Sequence, residues 1–300
     1  MKKESLFILP FDHRGSFLKN LFNLEDRKPS QKEIDEVKEL KWLIYSGFKY
    51  AINQKLIPQS STAILIDDEF GEKIIEDAKS SGYKVSISTE ISGQDEFQFE
   101  HGEDFGAYLK KYSPDSAKAL IRYNPEEDED LNKRQLTRLK KLNDYCKKEG
   151  IGFLLEPLVI ATQKQMEEVD QSKERYDREM RPKLMVDMIR EIREFGIEPD
   201  IWKLEGLDKE EDYENLAKEI HPDSRIIILG RGADTSQVER WIAVGAGVEK
   251  VIGFAIGRTV FWQPLLDYKN ERIDKGVAIE RIANNFSRFY RIFIESKESI

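Results

Sequence analysis

The stretch RIIILGRGADTSQVERWIAVGAGVEKVIGFAIGRT, residues 225–259, decides the fold. Its first run, 225–229, is apolar at consecutive positions from Ile226 through Leu229, as a strand is when both of its faces are covered. A loop of glycine and arginine follows. Residues 235–245 then carry Val238, Trp241 and Ile242 at helical spacing, and a second apolar run, 251–256, ends in another glycine–arginine pair. Strand, helix and strand in so short a span make a βαβ unit, whose two strands are parallel.

The unit recurs outward from there. Apolar runs at 6–11, 63–67, 84–88, 117–123, 152–158 and 201–204 bring the strands to eight, and amphipathic segments at 31–54, 69–80, 103–111, 127–148, 181–195, 209–220, 235–245 and 276–295 separate or follow them. Eight βα repeats in 300 residues predict one α/β domain over residues 1–300, a closed (β/α)8 TIM barrel. An open doubly wound sheet is the competitor, and no G-x-G-x-x-G follows the first strand to favour it. The acidic run EEDEDLNK, 126–133, reads as a helix start, because acids come first and bases follow through Lys148. The connection 159–180 exceeds an ordinary βα loop, which predicts some helix and an overhang above the strand ends, a candidate lid. Phe286, Phe289, Tyr290 and Phe293 form a late aromatic stripe that reads as core.

Composition narrows the function. With 48 basic against 57 acidic residues the net charge is −9, which gives no general attraction to nucleic acid or anionic membrane. Any bound phosphate needs a local basic pocket. Cys146 stands alone, so no disulfide framework or thiolate cluster forms and a cytoplasmic home is expected. The apolar run at 6–11 is too short for a secretory or membrane segment. His13, His101 and His221 lack the i, i+4 spacing of a helical metal site.

A barrel performs chemistry at the C-terminal ends of its strands. In the sixth, DIWKLEG (200–206), alternation puts Lys203 and Glu205 on the face opposite Trp202 and Leu204, so Lys203 points inward. A desolvated lysine offers neutral amine, the nucleophile of Schiff-base chemistry; the plain alternative is a lysine that snorkels or pairs with Glu205. Glu156 interrupts the apolar fifth strand and suits proton transfer beside that amine, or else a structural ion pair. Lys118 and Arg122 share a face of the fourth strand; inward, Lys118 would depress the nucleophile further, and outward it is a solvated strand start. After the first strand, Asp12 and Arg14 suit substrate hydroxyls or a carboxylate, or a helix cap with its salt bridge. Glu90 and Gln94, after the third strand, are a weaker signal of the same kind. Arg231, Gly232 and Ala233, then Gly257 and Arg258, follow strands seven and eight, the recurrent phosphate position of this barrel. Tight turns with incidental arginines are the alternative.

Taken together, FILPFDHRGSF, ALIRYNP, FLLEPL, PDIWKLE, ILGRGA and VIGFAIGRTVFW resemble the aldolase-like C-terminal domain of bacterial bifunctional 5-dehydro-2-deoxygluconokinase, and more distantly the tagatose-1,6-bisphosphate and sulfofructose-phosphate class I aldolases. The resemblance spans nearly the whole chain. It implies that Lys203 forms the Schiff base, Glu156 carries the proton, Asp12 and Lys118 belong to the catalytic pocket, and Arg231, Gly232, Gly257 and Arg258 hold phosphate. No metal or other cofactor is implied. The expected activity is cleavage of a phosphorylated keto sugar or keto sugar acid, such as 5-dehydro-2-deoxygluconate 6-phosphate, to dihydroxyacetone phosphate and an aldehyde. Because no kinase half precedes the first strand, a separate sugar kinase is expected upstream; a homo-oligomer is compatible with the sequence. Two rival readings are a magnesium-dependent lyase using Asp12, Glu90, Glu156 or Glu205 as ligands, and a non-catalytic phosphosugar-binding protein.

Overall fold

A computed structural model describes residues 5–22, 24 and 27–299. Eight parallel strands, β1 (Leu6–Pro10), β2 (Thr62–Ile66), β3 (Lys84–Ser88), β4 (Ser116–Arg122), β5 (Gly152–Leu158), β6 (Ile201–Glu205), β7 (Arg225–Leu229) and β8 (Val251–Ala255), form a closed barrel in sequence order. The pairing of β1 with β8, Leu6 opposite Gly253, excludes the open sheet. A Cβ at Gly253 would lie 1.9 Å from the Leu6 carbonyl oxygen, so only glycine lets the two strands meet there.

Helices α1 (Gly15–Phe22), α2 (Gln31–Asn53), α3 (Asp68–Ser80), α4 (Phe105–Tyr112), α5 (Glu129–Glu149), α6 (Gln163–Glu168), α7 (Lys173–Arg175), α8 (Arg181–Glu194), α9 (Glu210–Glu219), α10 (Thr235–Gly245), α11 (Arg258–Lys269) and α12 (Lys275–Glu298) surround the barrel or follow its strands. The acidic run does begin a helix: the Asp128 carboxylate accepts the Leu131 amide of α5 at 2.7 Å. The connection after β5 holds α6, α7 and a π-helical turn, Tyr176–Met180, that runs into α8. Helices α1 and α11 were not expected from the periodicity. In α11, Pro264 removes a backbone donor, and the side chain of Asn285 on α12 donates to the Val260 carbonyl at 2.8 Å in its place. Among the described residues no helix is long and apolar enough to cross a membrane.

The main core lies between strands and helices, where Trp202, Leu204, Ile226, Ile228 and Phe254 face outward. The aromatic stripe belongs to it, since Phe7 sits 5.0 Å from Tyr290 and 5.4 Å from Phe293 between ring centroids. A smaller cluster of Ile8, Ala63, Leu65, Leu154, Ile227, Ile252 and Ala255 fills the barrel interior. Below the β1–β2 rim, Lys41 of α2 and Asp67 form a fully buried ion pair. The Asp67 carboxylate also caps α3, accepting the Phe70 amide at 2.9 Å, and the Lys41 ammonium lies over the rings of Phe17 and Phe70.

Candidate active site

Strand alternation carries Lys203 of β6, Glu156 of β5 and Lys118 of β4 to the inside of the barrel, above the apolar plug. Lys203 is 4 % exposed, and its Nζ stands 2.8 Å from Glu156 Oε2. The same oxygen lies 3.0 Å from Lys118 Nζ. Lys118 also reaches Asp12 Oδ2, beyond β1, at 2.9 Å and Glu90 Oε1, beyond β3, at 2.6 Å. Two ammonium groups and three carboxylates from five strands thus form one buried network, with Glu156 bridging the amines. Lys203 is neither snorkelling outward nor paired with Glu205; its partner is Glu156.

Burial alone would pull the Lys118 ammonium down, but Asp12, Glu156 and Glu90 around it hold its pKa well above the ordinary lysine value. Its charge is fixed. Burial raises the Asp12 carboxyl, yet Lys118 and then Lys203 overcome it and keep the group well below its usual range. Glu156 is lowered by the same two cations acting against burial. At Glu90 burial prevails over Lys118, and the carboxyl is raised. His13 lines the cavity beside these groups; burial lowers it to about 4 despite the Asp12 charge, so its imidazole is neutral at physiological pH.

Across the cavity, Gly230, Arg231 and Gly232 after β7 face Gly257, Arg258 and Thr259 after β8. Gly257 precedes α11, and Arg258 and Thr259 at the start of that helix line the cavity, where their amides, outside the intrahelical ladder, are potential anion donors. Gly232 has φ +74°, and a Cβ there would lie 2.7 Å from Arg258 Nη2; the guanidinium rests against bare backbone and donates to the Arg231 carbonyl at 3.3 Å. No carboxylate among the described residues pairs with Arg258. Arg231 differs: it lies 2.8 Å from Glu205 Oε1 and 2.7 Å from Asp177 Oδ1, the latter in the π-helical turn of the overhang. Glu205 Oε2 in turn accepts the Val159 amide at 3.0 Å, and burial raises this carboxyl against the pull of Arg181 and Arg231.

The cavity encloses about 360 Å³ and brings together Asp12, Glu90, Gln94, Lys118, Arg122, Glu156, Lys203, Arg231, Gly232, Gly257 and Arg258. Two expected residues are not brought to it. Arg14 turns aside to Glu100 at 2.7 Å and to the Glu90 carbonyl, where it braces the β3 exit. Ala233 donates its amide to the Gly230 carbonyl at 2.8 Å and accepts Thr259 Oγ1 at 3.2 Å, closing the turn. His13, Thr259 and Asp177 carried no role in the sequence reading; His13 stood inside the FDHRG motif, but nothing local marks Asp177, 54 residues from Arg231. The carboxylates of the magnesium reading are engaged, three by Lys118 and Glu205 by Arg231, and among the described residues no three His, Cys, Asp or Glu side chains are grouped to hold a metal ion.

Residues 1–297 match the family described as "Uncharacterized protein conserved in bacteria (DUF2090)", and the chain belongs to it. It is also similar to tagatose 1,6-diphosphate aldolase of Listeria monocytogenes serotype 4a, 28% identical over 162 residues, which cover 52% of this chain and 44% of that protein. Tagatose 1,6-diphosphate aldolase 1 of Streptococcus mutans is 26% identical over 156 residues, covering 50% of this chain and 44% of that one. The chain therefore matches less than half the length of these curated relatives. The solved structure of Cgl0159 from Corynebacterium glutamicum shares the fold, with a TM-score of 0.57 and 15% identity over 94% of this chain and 85% of that one.

Proposed function

We propose that this DUF2090 member is a metal-independent Schiff-base aldolase that cleaves a phosphorylated keto sugar or keto sugar acid, with dihydroxyacetone phosphate as the ketone half. The observation that carries the reading is a buried amine, Lys203 Nζ, 2.8 Å from the carboxylate of Glu156 in a polar cavity. The likeness to proteins named as phosphosugar aldolases supports it.

In this reading Glu156 accepts the Lys203 proton, and the neutral amine attacks the C2 carbonyl carbon. Glu156 returns that proton to the carbinolamine hydroxyl, which leaves as water to give the iminium and a free carboxylate. The C3–C4 bond then breaks, its electron pair forming the enamine, while the C4 hydroxyl proton passes to Glu156 and the aldehyde departs. Protonation of the enamine at C3 and hydrolysis release dihydroxyacetone phosphate and the free amine. Lys118, held charged by its carboxylates, steadies developing negative charge on substrate oxygens, and Asp12 orients hydroxyls. Arg258, Gly232 and the start of α11 take the phosphate, and Gln94 and Arg122 face the other half of the sugar.

Borohydride reduction in the presence of dihydroxyacetone phosphate, followed by peptide mass spectrometry, tests this. A stable adduct on Lys203, absent in Lys203→Met, is expected. An adduct elsewhere, or none, overturns the proposal; binding without an adduct would point to a phosphosugar-binding protein.

A further inference from the structure

We propose a second anion site, outside the catalytic cavity, that takes a phosphate-bearing ligand: a groove of about 740 Å³ above the exits of β6 and β7, bounded by the overhang that follows β5. It is independent of the aldolase reading, because neither Lys203 nor Glu156 lines it. Arg231 and Gly232 form the wall that the groove shares with the cavity.

In a chain whose net charge is −9, this lining carries five cations, Arg178, Arg181, Lys209, Arg231 and Arg240, against three acids, Glu174, Asp177 and Asp208. Two of the acids are occupied. Asp177 accepts from Arg181 Nε at 2.8 Å and from Arg231 Nη1 at 2.7 Å. Asp208 accepts from Gln237 Nε2 at 2.9 Å and Trp241 Nε1 at 3.0 Å, while Arg240 Nε stays 3.8 Å away. Arg178 and Lys209 form no ion pair among the described residues. Three cations, Arg178, Lys209 and Arg240, therefore face the groove with Glu174 as the acid left to balance them.

Their placement goes against local preference. Arg178 sits in the π-helical turn Tyr176–Met180, a rare conformation that recurs at functional sites. Lys209 is the N-cap of α9, where the helix dipole opposes a cation and no side-chain cap is made. Arg231, on the shared wall, holds the left-handed φ of +50°. A ligand of opposite charge accounts for such cations meeting in one groove. They come from three elements, the overhang, the β6 exit and α10, and so approach from several directions, which suits the oxygens of a tetrahedral phosphate better than a planar carboxylate.

The test is a phosphorus NMR titration of inorganic phosphate against the full chain carrying Arg258→Ala, which removes the unpaired guanidinium of the catalytic cavity, at low ionic strength. Saturable binding of one phosphate per chain is expected. Adding Arg178→Ala and Lys209→Ala, both at exposed positions, should weaken it about tenfold or more. Removing equal charge at the opposite end of the barrel, by Lys147→Ala and Lys148→Ala in the last turn of α5, should leave it within about threefold. No saturable binding, binding indifferent to Arg178 and Lys209, or an equal loss from both pairs overturns the inference. Since the titration needs no Lys203 chemistry, failure of the aldolase reading leaves its outcome unchanged.

Discussion

Arg231 and Arg258 both stand at the β7–β8 side of the cavity, yet their partners assign them different work, and truncating each to alanine separates the two. Arg258 has no carboxylate partner among the described residues and lies against Gly232. A guanidinium in that state donates two charge-assisted hydrogen bonds to a phosphate, together about 3–4 kcal/mol. At about 1.4 kcal/mol per factor of ten, Arg258→Ala raises the KM for dihydroxyacetone phosphate roughly 10²–10³-fold. The effect on unphosphorylated dihydroxyacetone is small. Arg231 is tied to buried Glu205 and to Asp177. Its loss leaves a buried carboxylate short of a partner, at a cost of about 2–4 kcal/mol after discounting for its partial exposure. That corresponds to a melting point lower by roughly 4–10 °C. Steady-state condensation kinetics and thermal melts of both variants supply the measurements. If Arg258→Ala changes KM less than threefold, or if Arg231→Ala melts with the parent and behaves like Arg258→Ala in kinetics, the division of roles is wrong.

Gly232→Ala places a side chain at φ +74° and 2.7 Å from Arg258 Nη2; it should raise the same KM at least tenfold while the Lys203 adduct still forms, as read by the trapping assay. Lys41→Ala strands the Asp67 carboxylate in the core, and denaturant titration should show about 3–5 kcal/mol less stability, with Lys203 chemistry intact below the melting point. For Asp12 the folded carboxyl titrates below its unfolded value, so its stabilising contribution is present above about pH 4 and fades as pH falls below it. Asp12→Asn should therefore be less stable than the parent at pH 6–7, with the gap beginning to narrow below about pH 4 and closing only well below pH 3 in a chemical denaturation series. The His13 ring, lowered to about 4, should show no NMR titration between pH 8 and 5.5; a midpoint near 6.5 would contradict its burial.

The barrel was legible because its strands are apolar on consecutive positions, a pattern that survives without knowledge of any contact. Lys203 and Glu156 were legible for the converse reason, as charges interrupting such runs. Arg14 and Ala233 stand outside the cavity lining because a motif names residue types at a strand exit but not the direction of each side chain: Arg14 donates to the Glu90 carbonyl, and Ala233 closes a turn. Lys41 was hidden in a helix rich in charge, where one inward lysine reads like its solvated neighbours. Helix α11 was hidden by Pro264, whose missing hydrogen bond is replaced by Asn285 from another helix. Such long-range substitutions leave no local trace.

The meeting of Leu6 with Gly253 also bears on how the chain is made. The first strand leaves the ribosome long before its last neighbour exists, and until then the growing sheet has two unpaired edges that invite association with other chains. Ring closure links the two most distant parts of the sequence, so it carries a large loop entropy and is expected to come late and slowly. A methyl group at residue 253 would strike at that final step, leaving the earlier βα units able to assemble while the seam stays open.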